Sequence, residues 1–425
     1  MIPLELGTTS VYVEYITLAL KRSGYLSEIS QSYDETVRNA VISFQQANGL
    51  AADGIVGDQT YAALLPYLEG FRMVQITESD TLSSIAQQYG IAEGVLTTAN
   101  PYVDWQTPQN IIITVPYDFD LVPTDVHYTY YLTEILTRGL VARYPFVKSF
   151  SIGLSVMGKN LTCLAMGDGN TQVFYNATHH ANEWITTPVV FKFAEDYAKA
   201  NAFDTNIGDV SARKLFQEKT LFIMPVVNPD GLDLVTKGMT DLYYLDIAAR
   251  IASDYPTIPF PDGWKANILG TDLNLNYPAG WMNAREIKFA QGFVSPAPRD
   301  FVGTAPLSAP ESRAVHNFTL DNDFALTISY HTQGNVIYWK YLDYEPENSR
   351  AIGEEMSRVS GYALELTPSA SGYAGYKDWF ILNYNRPGYT VEAGTGQNPL
   401  PITQFDEIYA ANLPLMVTAL DMAGA

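Results

Sequence analysis

Cysteine and histidine, the side chains that most often bind zinc, are scarce in this sequence. Its 425 residues include one cysteine, Cys163, and five histidines. A single cysteine excludes an intrachain disulfide framework and any zinc site built from cysteines. Because Cys163 lies in an apolar stretch typical of a strand, we expect it to be a small buried hydrophobic residue. Any nitrogen-ligated metal must therefore use the few histidines.

Long hydrophobic runs and positive charge are also lacking. No apolar run reaches the length of about 18 residues that a transmembrane helix needs. Acidic residues outnumber basic ones by 46 to 25, and the net charge is −21. This balance argues against nucleic acid or an anionic membrane surface as the main partner. The amino terminus lacks the basic segment followed by an apolar one that marks a secretory signal.

The chain length suggests about three domains, and the residue patterns divide it accordingly. Residues 1–70 predict an all-α module of three short helices, because apolar residues recur at helical spacing and Asp34 can cap the second helix. The turn Asp53-Gly54-Ile55-Val56-Gly57, together with Phe44 and Thr60, resembles the peptidoglycan-binding domains of wall hydrolases. That resemblance implies peptidoglycan as a partner.

Residues 71–116 predict a small α+β module with the order strand, helix, helix, strand. The pattern formed by Asp80-Thr81-Leu82, Asn100-Pro101 and Val115-Pro116 resembles a LysM domain. The resemblance implies binding of a glycan that contains N-acetylglucosamine. Residues 117–125 are predicted to be a linker.

Residues 126–425 alternate apolar strands with helical patterns, which predicts a large α/β domain with a mixed, mostly parallel sheet. Functional sites in such domains lie at the carboxyl ends of the strands. His180 and Glu183 follow one predicted strand at a spacing that puts both side chains on one face of a helical turn. His331 ends another strand. Two histidines and one glutamate suit a catalytic zinc, because they leave one position open.

Glu392 ends a further apolar strand, where a carboxylate can act as general base on a water molecule and then pass the proton to a leaving amine.

Several segments together resemble the zinc carboxypeptidase family. They are His180–Glu183, Asn228–Gly231, Asp272–Asn274, Ser329–His331, Asp378-Trp379 and Thr390–Glu392. The resemblance implies Zn²⁺ bound by His180, Glu183 and His331, with Glu392 as the base. It also implies that Asp272 hydrogen-bonds the first ligand histidine and that Asn274 binds substrate.

Three departures from the family pattern bear on the substrate. Leu275 follows Asn274, where typical exopeptidases have an arginine that holds the terminal carboxylate of the substrate. Leucine cannot form that bidentate, charge-assisted contact. Lys265 replaces the arginine near the oxyanion, which a lysine can still stabilise as a point charge. Asn182 stands where an arginine is frequent. Removal of a single C-terminal amino acid is therefore in doubt.

Other residues are candidates for substrate binding. Lys377 occupies the position that lines the family's pocket for the side chain after the scissile bond, and Arg386 also precedes Glu392 in sequence. Either cation could meet a substrate carboxylate, or both could be surface charges. Tyr373, or less favoured Tyr376, could supply the family's mobile tyrosine.

The combined pattern resembles a branch of the family, the γ-D-glutamyl-L-diamino acid endopeptidases of bacteria. It implies hydrolysis of the bond between D-glutamate and diaminopimelate in peptidoglycan stem peptides or muropeptides. A location at the cell wall or in a spore compartment would follow, although the missing signal leaves the cytoplasm open. Two alternatives stand beside this one: a conventional zinc carboxypeptidase, and a non-catalytic wall-binding protein.

Overall fold

The computed structural model describes residues 3–107 and 110–424, which form two compact units. The first unit comprises the residues up to 127 together with 131–147, and the second comprises 128–130 with the residues from 148 onward. The domain boundaries placed after residues 70, 116 and 125 stay predictions. None of the helices in the described residues has the combination of length and hydropathy that crossing a bilayer requires.

The first unit contains a three-helix segment, an α+β segment and one further helix. Its elements are α1 (Val11–Arg22), α2 (Glu35–Ala47), α3 (Asp58–Glu69), β1 (Phe71–Ile76), α4 (Leu82–Tyr89), α5 (Glu93–Ala99), β2 (Ile111–Pro116) and α6 (Tyr130–Arg143). Asp34 caps α2 by accepting a hydrogen bond from the Val37 amide at 2.9 Å, as predicted. Strands β1 and β2 pair antiparallel, with α4 and α5 between them in sequence. The predicted helical and α+β modules are confirmed.

The second unit contains the remaining elements. They are β3 (Lys148–Leu154), β4 (Asn160–Met166), β5 (Thr171–Ala177), α7 (Thr186–Ala202), β6 (Asn206–Ile207), β7 (Val210–Ser211), α8 (Ala212–Glu218), β8 (Lys219–Met224), α9 (Pro229–Val235), α10 (Leu242–Ser253), α11 (Trp281–Ala290), α12 (Pro310–Leu320), β9 (Phe324–His331), β10 (Val336–Tyr338), α13 (Ser349–Ser360), β11 (Ala363–Glu365), α14 (Tyr376–Tyr384), β12 (Gly388–Glu392) and α15 (Phe405–Met422). Short 3₁₀ turns lie at Ala181–Glu183, Leu273–Leu275 and Ile402–Gln404.

Eight strands of the second unit form one mixed sheet in the order β11-β10-β12-β9-β5-β8-β4-β3. Its centre, β12-β9-β5-β8, is parallel throughout, as the alternation of strands and helices predicts. Successive side chains of β5 face opposite sides. Phe174 packs near Tyr376 of α14, whereas the Tyr175 hydroxyl donates to the Met416 carbonyl of α15. Cys163 is fully buried in the core, as expected.

The parallel centre of the sheet brings three strand ends together. Ala177 at the end of β5 pairs with Tyr330 of β9, and His331 at the end of β9 pairs with Glu392 at the end of β12. The segment after β5 turns at once into the 3₁₀ turn that ends at Glu183. Residues distant in sequence therefore meet at one edge of the sheet, where α/β proteins place their sites.

Candidate active site

Three side chains converge at this edge of the sheet. One ligand atom each from His180, Glu183 and His331 lies within 4.8 Å of the others. His180 Nδ1 is 3.0 Å from Glu183 Oε1, and His331 Nδ1 is 2.8 Å from Glu183 Oε2. Glu183 and His331 are each 1% exposed. The triad predicted from sequence is thus assembled, with both histidines presenting the same ring nitrogen.

The protonation pattern of these groups fits a divalent metal. Asp272 Oδ1 lies 3.0 Å from His180 Nε2, so an ionised Asp272 accepts a hydrogen bond from the Nε2–H group, and in the neutral imidazole Nδ1 then carries the lone pair. That lone pair faces a carboxylate and is 3.2 Å from the Nδ1 of His331. Converging buried acceptors need a cation between them. Two imidazoles and one carboxylate are a donor set that zinc prefers, and Zn²⁺ fits this site.

The electrostatics of the site favour ionised carboxylates beside the histidines. With no cation between the ligand atoms, burial alone would lower the pKa of His180, but Glu183 and Asp272 together raise it to about 9, so a bound metal ion would take the place of the Nδ1 proton. Burial would raise the pKa of Asp272, but the adjacent His180 holds it well below its usual range. Asp272 Oδ2 also accepts from the Asp300 amide at 3.1 Å, which fixes the carboxylate. This contact puts Asp272 in a position to orient His180, which is the role that the family resemblance implies and which stays a prediction.

Lys265 and Glu392 flank the three converging groups. Lys265 Nζ donates to Glu183 Oε1 at 2.7 Å, and this carboxylate raises the pKa of Lys265 despite the opposing effect of burial. The ammonium group is therefore charged. Burial raises the pKa of Glu392, and the charge of Glu183 adds to that increase while His331 opposes it. The Lys265 ammonium group and the Glu392 carboxyl group thus lie beside the same three converging side chains.

A cleft with a cavity of about 230 Å³ opens over these groups. It is lined by six of the residues selected from sequence: His180, Lys265, Asp272, Asn274, Lys377 and Glu392. Asn274 Nδ2 is 3.3 Å from His331 Nε2, and its Oδ1 accepts from the Tyr376 amide at 3.0 Å. Leu275 also lines the cleft, and it packs with Trp281 and Val302. The wall at position 275 is therefore apolar.

Lys377 lies in the first turn of α14 and reaches the cleft wall. Its side chain is 4% exposed and its Nζ lies 2.8 Å from Asp378 Oδ1. The same ammonium donates to the Lys340 carbonyl at 2.8 Å and to Thr367 Oγ1 at 3.1 Å. A substrate carboxylate at Lys377 would have to share these partners.

One substrate-binding candidate lies at the far end of the strands. Arg386 precedes β12 and donates to Asp323 Oδ1 and to the Phe324 carbonyl at the start of β9. It is therefore at the opposite edge of the sheet, about 20 Å along the strand from Glu392 at ~3.3 Å per residue. The assignment of Arg386 to the site is wrong, because an extended strand separates residues that are near in sequence.

The tyrosine candidates also lie outside this cleft. Tyr373 lines a neighbouring cavity of about 200 Å³ and packs against the apolar cluster that contains Leu275. Tyr376 is fully buried, with its hydroxyl 2.9 Å from Thr319 Oγ1. Neither tyrosine is among the residues that line the cleft over His180. Asn182 likewise turns away, since its Nδ2 donates to the Asp262 carbonyl.

Sequence reasoning missed three charged residues of the cleft, Lys288, Arg299 and Asp300. Lys288 Nζ binds Asp300 Oδ1 and Arg299 Nε binds Asp300 Oδ2, both at 2.6 Å. Arg299 and Asp300 lie in the irregular segment between α11 and α12, which has no periodicity from which to predict side-chain direction. The only sequence signal that could have indicated these residues is local: Arg299 and Asp300 directly follow the segment Pro296-Ala297-Pro298.

The other three histidines are accounted for by packing. His179 is fully buried, its Nε2 lies 3.0 Å from the Tyr277 hydroxyl, and burial holds its pKa well below the usual value. In the second unit, His316 lies over the Trp379 ring at 4.4 Å between centroids. His127 of the first unit lies 3.2 Å from Glu14. None of these three belongs to the converging triad.

Comparisons with known proteins agree with this arrangement. The zinc carboxypeptidase family matches residues 133–414, a putative peptidoglycan binding domain matches 12–64, and a LysM domain matches 74–106. Gamma-D-glutamyl-L-diamino acid endopeptidase 1 of Lysinibacillus sphaericus is 41% identical over 304 residues, which is 72% of this chain and 72% of that protein. Uncharacterized protein YqgT of Bacillus subtilis (strain 168) is 39% identical over 67% of this chain and 74% of its own length.

Solved structures show the same fold. The crystal structure of thrombin activatable fibrinolysis inhibitor (TAFI) aligns with a TM-score of 0.56 at 19% identity. The alignment covers 71% of this chain and 75% of that chain. Over the aligned part, this chain therefore shares the fold of that structure at low sequence identity.

Proposed function

The chain belongs to the zinc carboxypeptidase family and is a metallopeptidase, and we propose that it hydrolyses the γ-D-glutamyl bond to diaminopimelate in peptidoglycan stem peptides. Support comes from the relative in Lysinibacillus sphaericus, which is named as a γ-D-glutamyl-L-diamino acid endopeptidase. The same chain carries matches to a peptidoglycan-binding domain and a LysM domain.

The observation that carries the proposal is the apolar wall at Leu275. This residue lines the cleft directly after Asn274 and is 8% exposed. A carboxypeptidase needs a cation that recognises the carboxylate of the terminal residue, and an arginine does so through two charge-assisted hydrogen bonds. Without an arginine at position 275 to bind a terminal carboxylate, the substrate peptide can extend past the residue after the scissile bond. We therefore assign an endopeptidase reaction.

His180, Glu183 and His331 would hold the zinc ion, with Asp272 fixing the orientation of His180. Zinc supplies Lewis-acid chemistry when bound, since it polarises a carbonyl and makes water easier to ionise. Glu392 takes the proton from the attacking water as the new carbon–oxygen bond forms. It then gives that proton to the diaminopimelate nitrogen as the carbon–nitrogen bond breaks.

Lys265 and Lys377 take complementary roles in this proposal. The Lys265 ammonium lies beside Glu183 and would stabilise negative charge that develops on the scissile carbonyl oxygen. Lys377, at the cleft wall, would bind a carboxylate of diaminopimelate on the amine side of the bond. Tyr373 lines the adjacent cavity and would contact the same part of the substrate only if its loop moves.

The amino-terminal modules would hold the enzyme on its polymer. We assign peptidoglycan to the helical module, residues 1–70, and an N-acetylglucosamine-containing glycan to the α+β module, residues 71–116. Residues 117–125 would be the linker and residues 126–425 the catalytic domain. Such binding would place the protein at the bacterial cell wall or in a spore compartment.

A tetrapeptide assay tests the proposed reaction. The zinc-loaded protein is incubated with L-Ala-γ-D-Glu-diaminopimelate-D-Ala, and the products are separated by chromatography. The proposal predicts L-Ala-D-Glu and diaminopimelate-D-Ala. Free D-Ala with a remaining tripeptide would instead identify a carboxypeptidase. If no product forms with zinc-loaded protein, while glycan binding persists, the chain is a non-catalytic wall-binding protein.

A further inference from the structure

A γ-linked glutamate has a second negative group close to the bond that is cut. Its side-chain carboxyl forms the scissile amide, so its own α-carboxylate is free and belongs to the acyl side of that bond. We propose that Arg299 binds this α-carboxylate and so selects γ-linked glutamate on the acyl side. The inference rests on the proposed function and adds the group that recognises this half of the substrate.

Arg299 is the most accessible cation in the cleft. Its side chain is 42% exposed, compared with 17% for Lys265, 10% for Lys288 and 4% for Lys377. Of the three guanidinium nitrogens of Arg299, only Nε has a hydrogen-bond partner among the described residues, 3–107 and 110–424. Both terminal amino groups are therefore available to a ligand. Paired guanidinium N–H groups match the two oxygens of a carboxylate.

The guanidinium group is held in place without losing its charge. Its Nε donates to Asp300 Oδ2, and the other oxygen of the same carboxylate binds the Lys288 ammonium, both at 2.6 Å. Two cations around one anion leave the trio with a net positive charge. The cleft is water-accessible on the Arg299 side, so an anionic ligand can reach this charge without separating the internal pairs.

The backbone places Arg299 beside the group proposed for the oxyanion. The Pro298 carbonyl accepts from the amides of Lys265 and Ala266 at 2.7 and 2.9 Å. On the other side of Arg299, the Asp300 amide donates to Asp272, the carboxylate that orients His180. The scissile carbonyl belongs to the glutamyl residue, so a cation next to Lys265 is suited to the remainder of that residue. Lys377, on α14, is then the cation that would bind a carboxylate of diaminopimelate, on the amine side of the bond.

Two stem peptides that differ in one group test this assignment. One is L-Ala-γ-D-Glu-diaminopimelate-D-Ala, and the other carries D-isoglutamine, in which the α-carboxylate is an amide. We expect the wild-type protein to have a kcat/KM about 30-fold higher on the acidic stem, the effect of one bidentate charge-assisted contact. Arg299→Gln should lower kcat/KM about 30-fold on the acidic stem and at most about threefold on the amidated one. Arg299→Lys should keep part of the preference.

Controls separate the possible failures. Arg250→Gln removes an exposed arginine of α10 that does not line the cleft, and it should leave the cleavage of both stems unaffected. Zinc content and thermal unfolding of each variant report whether it is folded. A wild-type protein without preference for the acidic stem, or an Arg299→Gln variant that keeps the preference, overturns the role of Arg299. Failure of the wild-type protein to cut either stem overturns the proposed function itself.

Discussion

At the scale of single residues, Asp272 links the two sides of the candidate site. Its carboxylate lies against His180 Nε2 and accepts from the amides of Asn274 and Asp300. One buried side chain therefore fixes a ligand histidine, the start of the Leu273–Leu275 turn and the segment that carries Arg299. A change at this carboxylate should affect metal affinity before it affects the fold.

Asp272→Asn should weaken zinc binding by about 10- to 100-fold, because the amide replaces a charged acceptor that favours the ligating form of His180. Competition with a chromophoric chelator measures this affinity. Asp246→Asn, on the exposed side of α10, is a matched control that should bind zinc like the wild-type protein. An unchanged affinity in Asp272→Asn would remove Asp272 from the metal site.

Glu392→Gln should lower kcat on the stem tetrapeptide by about 10²- to 10⁴-fold, because glutamine can neither take nor return a proton. Zinc content should remain that of the wild-type protein, since Glu392 is not one of the three converging ligands. The exposed Glu365→Gln, at the end of β11, is the control substitution. A fully active Glu392→Gln variant would assign the proton transfer to another group.

At the scale of secondary-structure elements, strand ends were the best guide to the site. His180, His331 and Glu392 each follow or end an apolar strand, and the parallel pairing of β5, β9 and β12 brings them together. The capping residue Asp34 was likewise identifiable from local sequence, because an N-cap interacts with residues only a few positions away.

The irregular segments could not be predicted in the same way. Arg299 lies in a segment between α11 and α12 that has no repeating pattern, and its two chain neighbours are fixed by long-range bonds, the Pro298 carbonyl by the Lys265 amide and the Asp300 amide by Asp272. Arg386 was misplaced because sequence proximity to Glu392 ignores the length of the intervening strand. The partners of Lys377 come from Lys340 and Thr367, which only the folded chain brings near.

The first turn of α12 contains a buried acid that predicts a pH dependence of stability. Glu311 accepts from the Val156 amide at 3.0 Å and from Asn267 Nδ2 at 3.1 Å. Burial raises the pKa of Glu311 from 4.5 to about 7. Between these values the folded chain keeps a proton that the unfolded chain has released. The free energy of unfolding should therefore fall as the pH rises through this window.

The expected loss is about 3 kcal/mol between pH 4.5 and 8, from a pKa difference of roughly two and a half units. Urea unfolding of the wild-type protein and of Glu311→Gln at both pH values isolates this contribution, because glutamine does not titrate. The wild-type protein should lose about 3 kcal/mol more than the variant over this range. Parallel pH dependence in the two proteins would show that Glu311 has an ordinary pKa.

At the scale of the whole molecule, a peptidase unit is joined to segments that match a peptidoglycan-binding and a LysM domain. The net charge of −21 makes simple attraction to an anionic polymer unfavourable. Under the proposed function, binding to the wall would therefore come from specific contacts with sugar or peptide. Cutting a cross-linked, insoluble polymer also benefits from modules that keep the catalytic unit at high local concentration.

The Glu392→Gln protein should co-sediment with insoluble peptidoglycan without degrading it, because binding and proton transfer depend on different residues. Oligomers of N-acetylglucosamine should compete for this binding, since the LysM-like module would recognise that sugar. Oligomers of glucose with the same linkage are the control and should not compete. Co-sedimentation that neither sugar reduces would place the binding outside the LysM-like module.

Hydrolysis of purified muropeptides in H₂¹⁸O, followed by mass spectrometry, tests the central claim most directly. The proposed reaction incorporates one ¹⁸O atom into the new γ-carboxyl group of D-glutamate, and the fragment that begins with diaminopimelate carries a free amine and no label. Zinc-loaded wild-type protein should give this pair of fragments, whereas Glu392→Gln should not. Label on the diaminopimelate fragment with release of the terminal D-Ala would contradict the account, because it would mark a carboxypeptidase.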